Sequence, residues 1–392
     1  MPPPKGYPAA FVVGGARSSA AGGGRPPDSR RDAGANGYNS RIRKPVPSRI
    51  RGPSRVAPTQ GADVRLGRIV RLLMDHATVV VSGTKIADEI GSSRSEVWRL
   101  IKQLRALGVQ VAGHPASGYQ LRAVPDLLLA EIVGPLVEGT LFSHHLHHYY
   151  KIGSTNSVAM EAAAAGAPEG SVFLAEEQTA GRGRGLNTWH SARSTGIYCS
   201  LVLRPQVPPS EALLLSLAAG LAVHDAVRAI DGHLLPDLRW PNDLLLGDRK
   251  FCGILTEMNA EATRVRFIVV GIGINVNQAL FPAELREQAT SLRIASGSER
   301  SRVELAAALL KSLHREYRDL LEKAGARDSI LSRFAEHSSY VHGRRVRIED
   351  NHAGAPGAGF EGITEGLDAA GFLRVRTAEG LRTVLSGSVR AI

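Results

Sequence analysis

The chain has 392 residues, of which 43% are hydrophobic and 22% are charged, a balance typical of soluble globular proteins. This length exceeds what one hydrophobic core usually serves, so two or three domains are expected. No uninterrupted apolar stretch reaches the roughly 20 residues of a membrane-spanning helix. The two cysteines, Cys199 and Cys252, have neither a CxxC nor a metal-ligand spacing. We therefore predict a cytoplasmic protein that spans no membrane and keeps both thiols reduced.

The formal net charge of +11 is concentrated at the N-terminus. Residues 1–60 hold eleven lysines and arginines against two acids, a net charge of +9, which leaves +2 for the rest of the chain. They are rich in glycine, proline, serine and alanine and have no hydrophobic periodicity, which predicts a disordered basic tail. Such a tail could add non-specific attraction to DNA. A transit peptide or a wrongly assigned start of translation are the alternatives.

Residues 61–125 begin with three predicted amphipathic helices. The first starts near Val64, and its apolar stripe is expected to face inward from Val64 onward. The second covers about Thr84–Ile90. The third starts at Ser93, where Glu96 three residues later completes a capping-box pattern.

Two short β segments, Val109–Ala112 and Tyr119–Leu121, follow the third helix. Three helices and a small hairpin define a winged helix-turn-helix, whose third helix lies in the major groove of DNA. The outer face of that helix is basic and aromatic, which favours DNA over the alternative of a protein partner. The predicted DNA-binding residues are Arg94, Ser95, Trp98, Arg99 and Lys102.

Strands and helices alternate over residues 126–338. The first predicted strand, Leu141–Ile152, contains His144, His145, His147 and His148. Its period-2 alternation divides these side chains between two faces, and the run offers no acid or cysteine, so we predict no metal site. Next come Gly153–Ser157 and the helix Ala159–Ala165, where serine and threonine either cap the helix or hold a polar ligand.

Between two further predicted strands, Ser171–Glu177 and Gly196–Arg204, lies the loop Gln178–Trp189, which reads Gln-Thr-Ala-Gly-Arg-Gly-Arg-Gly-Leu-Asn-Thr-Trp. Glycine allows the backbone to approach a ligand closely, and arginine offers a planar fork of donors that matches phosphate or carboxylate. This loop therefore predicts an anion-binding site. A solvated basic loop and an RGG-like nucleic-acid tract are the alternatives.

An apolar helix, Glu211–Ile230, leads to a predicted hairpin around the turn Gly247-Asp248. Lys250 begins the return strand, where a cation can point into a site. Gly253, in the middle of that strand, suggests close approach by a ligand or another backbone. The buried strand Phe267–Val270 is expected to end in a glycine-rich turn over residues 271–277.

The last part of the chain changes from helix to short strands. Residues 301–336 have helical periodicity. From residue 339 onward, glycine turns separate four predicted strands, which indicate a small SH3-like β-barrel. These strands are Arg345–Ile348, Gly359–Ile363, Phe372–Arg376 and Arg382–Leu385.

Taken together, several segments over residues 64–392 resemble the bifunctional biotin protein ligase/biotin operon repressor family. They are the third helix with Ser-Gly-Tyr-Gln-Leu after it, the Gln178–Trp189 loop, Arg239-Trp-Pro-Asn-Asp, the Lys250 strand and Gly271–Asn277. The resemblance implies an α+β multidomain fold. Its parts are a winged helix-turn-helix over 61–125, a mixed-sheet ligase domain similar to class II synthetases over 126–338, and an SH3-like C-terminal domain over 339–392.

The resemblance also implies a two-step reaction and its partners. Biotin carboxylate attacks the α-phosphate of MgATP to give biotinyl-5′-AMP and pyrophosphate, and a lysine of a biotin carboxyl carrier domain then takes the biotinyl group. Operator DNA is the implied second partner, and a homodimer is expected once the adenylate is bound. Mg²⁺, ATP and biotin are thus the expected cofactor and substrates.

Residue roles follow by the same resemblance. Arg184, Lys250 and Asp243 are the implied catalytic residues: Lys250 bridges the biotin carboxylate and the α-phosphate, and Arg182 with Arg184 holds phosphate. The implied biotin-binding residues are Ser154, Thr155, Asn156, Gln178, Arg182, Gly183, Arg184, Lys250 and Gly253. The implied nucleotide-binding residues are Trp189, Asp243, Asn275 and Arg239.

Two positions depart from the usual pattern of the family. Gly185-Leu186-Asn187 stands where a further basic run is common, and Arg239 stands where lysine is usual. Two alternatives remain: a ligand-sensing regulator without catalysis, and a lipoate-type acyl ligase on the same scaffold. The combination of Arg184, Lys250 and Asp243 favours an enzyme, and the complete loop together with the winged helix favours biotin.

Overall fold

The computed structural model describes residues 60–349 and 359–392. The predicted basic tail lies outside these residues, apart from Gln60 at the start of the first helix. The N-terminal part confirms the winged helix-turn-helix. Its elements are α1 (Gln60–Asp75), α2 (Gly83–Glu89), α3 (Arg94–Ala106), β1 (Val111–His114) and β2 (Gly118–Leu121), and the two strands pair in antiparallel fashion.

Serine hydroxyls define where several helices begin. Each accepts a hydrogen bond from the backbone N–H three residues later, which satisfies a donor that the helix itself leaves unpaired. These serines are Ser82, Ser93, Ser154, Ser291 and Ser301. Ser93 confirms the predicted start of α3. Val64 corrects the predicted stripe of α1, since its side chain is exposed while Leu66 and Ile69 are buried.

A seven-stranded sheet forms the centre of the molecule. Its strand order is β3-β4-β5-β9-β8-β7-β6; β3 and β4 are parallel and the other neighbours are antiparallel, which makes the sheet mixed, as predicted. The strands are β3 (Leu146–Tyr149), β4 (Val172–Ala175), β5 (Gly196–Leu203), β6 (Asp237–Arg239), β7 (Asp243–Leu246), β8 (Arg249–Ala260) and β9 (Val265–Asn275).

Helices cover both faces of this sheet. They are α4 (Ala130–Leu136), α5 (Thr155–Ala164), α6 (Ala212–Ile230), α7 (Leu292–Ser296), α8 (Arg302–Glu322) and α9 (Ala326–Glu336). Strand β5 is buried at every position because alternate side chains enter two cores. Tyr198 and Val202 pack with α5, whereas Ile197 and Leu201 join the larger core that includes α6 and α8.

One helix in the described part of the chain, Pro209–Ile230 including α6, is long and apolar enough to cross a membrane by length and composition. Its most apolar window is 78% buried inside the fold. Helix α6 packs mainly against α8 and α9 and also against the sheet, so its apolar surface is the surface of a core helix.

Two predicted elements around the sheet were wrong in extent. The strand predicted over Leu141–Ile152 is only β3, because Thr140 organises a turn: its side chain accepts from the Phe142 N–H at 3.2 Å and its carbonyl from the Ser143 hydroxyl at 3.0 Å. The glycine-rich turn predicted over residues 271–277 is instead largely strand, since β9 continues unbroken to Asn275.

The C-terminal residues form a five-stranded antiparallel sheet with the order β13-β12-β11-β10-β14. Its strands are β10 (His342–Glu349), β11 (Gly359–Leu367), β12 (Leu373–Thr377), β13 (Gly380–Val384) and β14 (Ser388–Ala391). The small β-domain is confirmed, and β14 is a strand that the sequence pattern did not reveal. The domain docks beside the central sheet, where the Trp240 indole N–H donates to the Gly371 carbonyl at 2.9 Å.

A fully buried carboxylate, that of Glu176, joins four parts of the fold. It accepts from the Leu128 backbone N–H at 2.9 Å, from the Ser194 hydroxyl at 3.0 Å and from the Arg302 guanidinium at 2.7 Å, and it contacts the His148 ring at 3.3 Å. Burial disfavours this charge, but His148 and Arg302 outweigh burial and lower the pKa of Glu176 to about 2. Arg302 also pairs with Asp126, in the segment that follows the winged helix.

Replacing Glu176 by glutamine should destabilise the fold. The variant keeps the shape of the side chain but leaves Arg302 buried without one of its two carboxylate partners, so we expect a loss of about 3 kcal/mol in the free energy of unfolding. Urea denaturation at pH 7 measures it. Glu299→Gln, at a mostly exposed ion pair with Arg293, is the control and should change stability by less than about 0.5 kcal/mol.

The comparison of the native protein with Glu176→Gln also leads to a prediction about pH. The pKa of Glu176 is lowered on folding, so its contribution is complete above about pH 4.5 and is lost as the pH falls towards 2. The stability difference between the native protein and Glu176→Gln should shrink over that window. A difference that stays constant from pH 7 to pH 3 would contradict the assigned charge of Glu176.

Candidate active site

A cavity lies where the Gln178–Trp189 loop crosses the sheet beside the start of α5, and its empty space is about 460 Å³ when the part open to solvent is included. Most residues that the sequence singled out line it: Ser154, Thr155, Asn156, Gln178, Arg182, Gly183, Arg184, Trp189, Lys250 and Gly253. The structure therefore brings together segments that are up to about a hundred residues apart in the chain. The chemistry of the cavity follows from how each segment is held.

The start of α5 forms one wall. Ser154 caps the helix, so its hydroxyl is engaged by the Ser157 N–H, and both sequence-based interpretations of this turn remain compatible with its position. The Gln178 side-chain oxygen accepts from the Thr155 N–H at 2.8 Å and from its hydroxyl at 3.1 Å. The Gln178 amide donates to Ser191 at 2.8 Å, so one side chain ties the helix start to both ends of the loop.

The loop itself is a small hairpin whose aromatic end enters a notch in the sheet. The Gly183 N–H donates to the Asn187 carbonyl at 2.8 Å. Gly253 and Gly273 face each other on β8 and β9, and a Cβ atom at either position would lie 3.0 Å or 2.5 Å from the Trp189 ring. The close approach predicted at Gly253 is thus made, in this structure, by the indole of Trp189.

The two loop arginines point to different partners. Arg182 forms two hydrogen bonds with the Glu257 carboxylate, at 2.8 and 2.9 Å. Arg184 donates instead to the Asn242 side chain at 3.2 Å and to the Gly387 carbonyl of the C-terminal domain at 3.0 Å. Burial lowers the pKa of Arg184, partly offset by the negative charge of Asp243.

Lys250, Asp243 and Arg239 form a charged chain at the edge of the cavity. The Lys250 ammonium binds one oxygen of Asp243, and Arg239 donates to the other at 2.7 Å. Burial disfavours the Asp243 carboxylate, but Lys250 and then Arg239 outweigh burial and keep the pKa of Asp243 below its usual range. The Lys250 nitrogen lies 5.4 Å from the centre of the Trp189 ring, so its charge faces the cavity.

Asn275, singled out by the sequence, is not among the cavity-lining residues. Its amide donates to the Thr290 carbonyl at 3.1 Å, and its oxygen accepts from Gln278 at 3.2 Å. Arg239 and Asp243 also stand outside the lining and reach it through Lys250. The histidines of the β3 region have other contacts: His147 stacks on Phe173, and His148 faces Glu176. The described residues contain no group of three potential metal ligands.

Sequence reasoning missed several residues that line the cavity or hold the side chains that line it. Ser200 donates to both Thr155 and Asn156 at 2.9 Å. Gly271 leaves room for the Asn156 side chain, whose oxygen would lie 2.2 Å from a Cβ there. Asn242 and Glu257 bind the loop arginines. Period-2 spacing from Gly253 along β8 could have indicated Glu257, because residues two and four positions along share one face of a strand.

The outer face of α3 carries the five residues that the sequence predicts to bind DNA. Arg94, Ser95, Trp98, Arg99 and Lys102 are all exposed. The Lys102 nitrogen lies 4.4 Å from the Trp98 ring centre, while Arg99 is held by two hydrogen bonds to Glu96. The face therefore presents the positive charges of Arg94 and Lys102 beside the Trp98 ring, whereas Glu96 partly neutralises Arg99.

Family models match three parts of the chain. Residues 65–120 match an HTH domain, residues 150–275 the biotin/lipoate A/B protein ligase family, and residues 341–390 the biotin protein ligase C-terminal domain. With the cavity and the exposed face of α3, these matches define a ligase with a DNA-binding domain. Its C-terminal β-domain is the one that biotin protein ligases carry.

Relatives define the family more narrowly. The chain is 36% identical to the bifunctional ligase/repressor BirA of Bacillus spizizenii over 323 residues. The aligned region covers 82% of this chain and 97% of that protein. It is 30% identical to BirA of Escherichia coli, over 79% of this chain and 92% of that protein. The structure of the biotin protein ligase from Aquifex aeolicus in complex with biotin and ATP aligns with a TM-score of 0.54 at 28% identity, over 64% of this chain and all of that one. The chain belongs to the bifunctional biotin ligase/repressor family.

Filling the glycine notch should release Trp189. In Gly273→Ala, the new methyl group overlaps the indole at 2.5 Å, so we expect the ring to leave the notch and the loop to open. Acrylamide quenching of tryptophan fluorescence, measured in a Trp98→Phe background, should rise about twofold or more; Trp240 is buried and contributes little. Gly134→Ala is the control, because nothing lies within 4 Å of its added methyl group. Equal quenching in both variants would contradict the packing of Trp189.

Proposed function

We propose that this protein activates biotin with ATP and transfers it to a lysine of a biotin carboxyl carrier domain. In the first step a biotin carboxylate oxygen bonds to the α-phosphorus while the bond to pyrophosphate breaks, giving biotinyl-5′-AMP. In the second step the carrier lysine attacks the acyl carbon and AMP leaves. The single observation that carries the proposal is the convergence of Arg184, Lys250 and Trp189 on one cavity.

Two negatively charged reactants must meet in the first step, so fixed positive charge is the main requirement. Lys250 supplies it at the cavity edge, and the Asp243 carboxylate orients its ammonium group. Arg184 supplies a second positive charge from the loop and is already held half-buried by Asn242 and Gly387. A closed loop over the site would also keep water from the mixed anhydride.

Biotin itself is assigned to the pocket wall at the start of α5. Ser154, Thr155, Asn156 and Gln178 offer hydroxyl and amide groups to its ureido ring, and the backbone at Arg182–Arg184 and Gly253 lines the rest. Trp189, Asp243, Asn275 and Arg239 are assigned to the nucleotide. Arg239 takes the place of the usual lysine. Its hydrogen bond to Asp243 supports a role in orienting that carboxylate.

Mg²⁺ is proposed to enter with ATP. The described residues offer no cage of metal ligands, which suits an ion held chiefly by the nucleotide phosphates with one or two protein carboxylates. Asp243 is the carboxylate beside the catalytic lysine and would be that protein ligand. The ion would neutralise phosphate charge during attack, whereas Lys250 and Arg184 act on the carboxylate and the α-phosphate.

The winged helix supports repression of an operator as the second activity. Arg94, Trp98 and Lys102 form an exposed basic and aromatic face on α3, which fits the major groove. A homodimer on adenylate binding is proposed as well, since repressors of this kind bind two-fold symmetric half-sites. Two buried, unpaired thiols suit a cytoplasmic location.

The ligase proposal is tested with purified protein, biotin, MgATP and an apo carrier domain. We expect biotin-dependent release of pyrophosphate and a gain of one biotinyl group in the mass of the carrier. Lipoate in place of biotin should support neither. Pyrophosphate release with lipoate alone would establish the lipoate-type alternative, and release with neither acid would favour a regulator without catalysis.

Lys250→Ala should slow adenylate formation by roughly 100-fold or more, because a positive charge placed where negative charge develops typically contributes that much. The readout is the rate of biotin-dependent pyrophosphate release at saturating ATP. Lys311→Ala, an exposed lysine on α8, is the control and should retain the native rate. An unchanged rate in Lys250→Ala would overturn the catalytic role of Lys250.

Arg94→Ala should weaken operator binding while leaving ligation unchanged. A lost phosphate or base contact lowers affinity, and a lost phosphate contact also reduces the slope of log affinity against log salt by about 1. Fluorescence anisotropy with labelled operator DNA at several salt concentrations measures both. The Lys311→Ala protein again serves as the control, and equal affinities of the two variants would contradict DNA binding through this face.

A further inference from the structure

The Glu257 carboxylate is 7% exposed and contacts two residues that line the cavity, Asn156 and Arg182. One of its oxygens accepts from the Asn156 side chain at 2.7 Å and from Arg182 at 2.9 Å, and the other accepts from Arg182 at 2.8 Å. A bidentate arginine–carboxylate pair is directional as well as attractive. Glu257 therefore holds a side chain of the loop from strand β8, the strand on which Gly253 receives Trp189.

This contact completes a continuous polar chain around the cavity. From one end of the loop, Ser191 binds Gln178, which binds Thr155. Ser200 then links Thr155 to Asn156, and Asn156 binds Glu257. Glu257 returns the chain to the loop at Arg182. Both ends of the loop and its middle are thus connected through a chain of polar groups, most of which also line the cavity.

The two loop arginines consequently have different freedom. Both nitrogens at the tip of the Arg182 guanidinium are engaged by the Glu257 carboxylate, whereas the hydrogen bonds of Arg184 go to neutral oxygens of Asn242 and Gly387. A neutral carbonyl is readily replaced by a phosphate, whereas a paired carboxylate competes with it. Of these two residues, Arg184 is the one whose contacts leave it available to an anion.

We propose that Glu257 is a positioning residue that anchors the closed loop through Arg182, so that Arg182 serves the loop and Arg184 serves the phosphate. This inference rests on the proposed ligase function. It assigns a role to Glu257 that the sequence pattern did not suggest, and it gives Arg182 a side-chain role different from the phosphate contact that the family resemblance implies. Loss of the anchor lets the loop open and lets the adenylate escape.

A double-mutant cycle tests this assignment. Glu257→Gln keeps the hydrogen bond from Asn156 but removes the charge that holds Arg182. We expect Glu257→Gln and Arg182→Ala each to raise the dissociation rate of biotinyl-5′-AMP about 5- to 20-fold. The double variant should resemble either single variant, because both remove the same anchor. Glu261→Gln, an exposed glutamate just beyond the same strand, is the matched control and should match the native protein.

The opposite result is equally well defined. If Arg182 contacts phosphate directly, Arg182→Ala reduces the maximal rate of adenylate formation, and its effect is as large in the Glu257→Gln background as in the native protein. Multiplicative effects in the double variant would therefore overturn the proposal. Glu257→Asp provides a further check: partial recovery relative to Glu257→Gln supports a charge-based anchor, and no recovery contradicts it.

A structural readout separates this proposal from the ligase function. Hydrogen exchange of the backbone amides in Gly181–Thr188 is measured in the protein without substrates, by mass spectrometry. Glu257→Gln should speed that exchange about 5-fold or more, and Glu261→Gln should not. If the native protein releases no pyrophosphate but the exchange difference is found, the ligase function fails while the anchor stands. Active native protein with unchanged exchange in Glu257→Gln overturns the anchor alone.

Discussion

The central constraint of this fold is the burial of one carboxylate, that of Glu176, at the junction of the segment after the winged helix, the sheet, helix α8 and the base of the substrate loop. Such a charge is tolerated only when donors surround it, and here the donors come from Leu128, Ser194, His148 and Arg302. The ligase core therefore cannot form this junction without also fixing the start of the domain and the return of the loop. Gln178, which lines the cavity, follows Glu176 by two residues, so its position depends on that same junction.

Three glycines on strands β8 and β9 make room for the loop and for the start of α5. Gly253 and Gly273 lie opposite each other and Gly271 lies close by, so three positions on two neighbouring strands carry no Cβ. Trp189 and the Asn156 amide fill the space that results. A sheet with larger side chains at these positions would displace Trp189 and push the loop away from Lys250. The cavity would then lose the part of its lining that the loop supplies. The packing of Trp189 and its position beside Lys250 thus depend on the same three glycines.

The separate parts of the molecule meet at the loop. Arg184 donates to the Gly387 carbonyl, 203 residues away in the chain, so the C-terminal domain holds a side chain that lines the cavity. At the other end, Asp126 joins the segment after the winged helix to Arg302, which in turn binds Glu176 beside the loop base. These contacts connect the loop to the C-terminal domain and to the segment that follows the winged helix.

The sequence by itself determined the order of the domains, the helices of the winged domain, the Lys250 hairpin and the loop that bears Arg182 and Arg184. These features depend on periodicity, serine caps and glycine turns, which act over a few residues. Tertiary structure alone decided that Gly271 and Gly273 belong to a strand and that β14 completes the last sheet. It also decided that Glu257 meets Arg182 across 75 residues, whereas Asn275 turns away from the cavity. The physical reason is strand register: a shift of one residue between β8 and β9 would move every side chain to the opposite face, and no local pattern specifies that alignment.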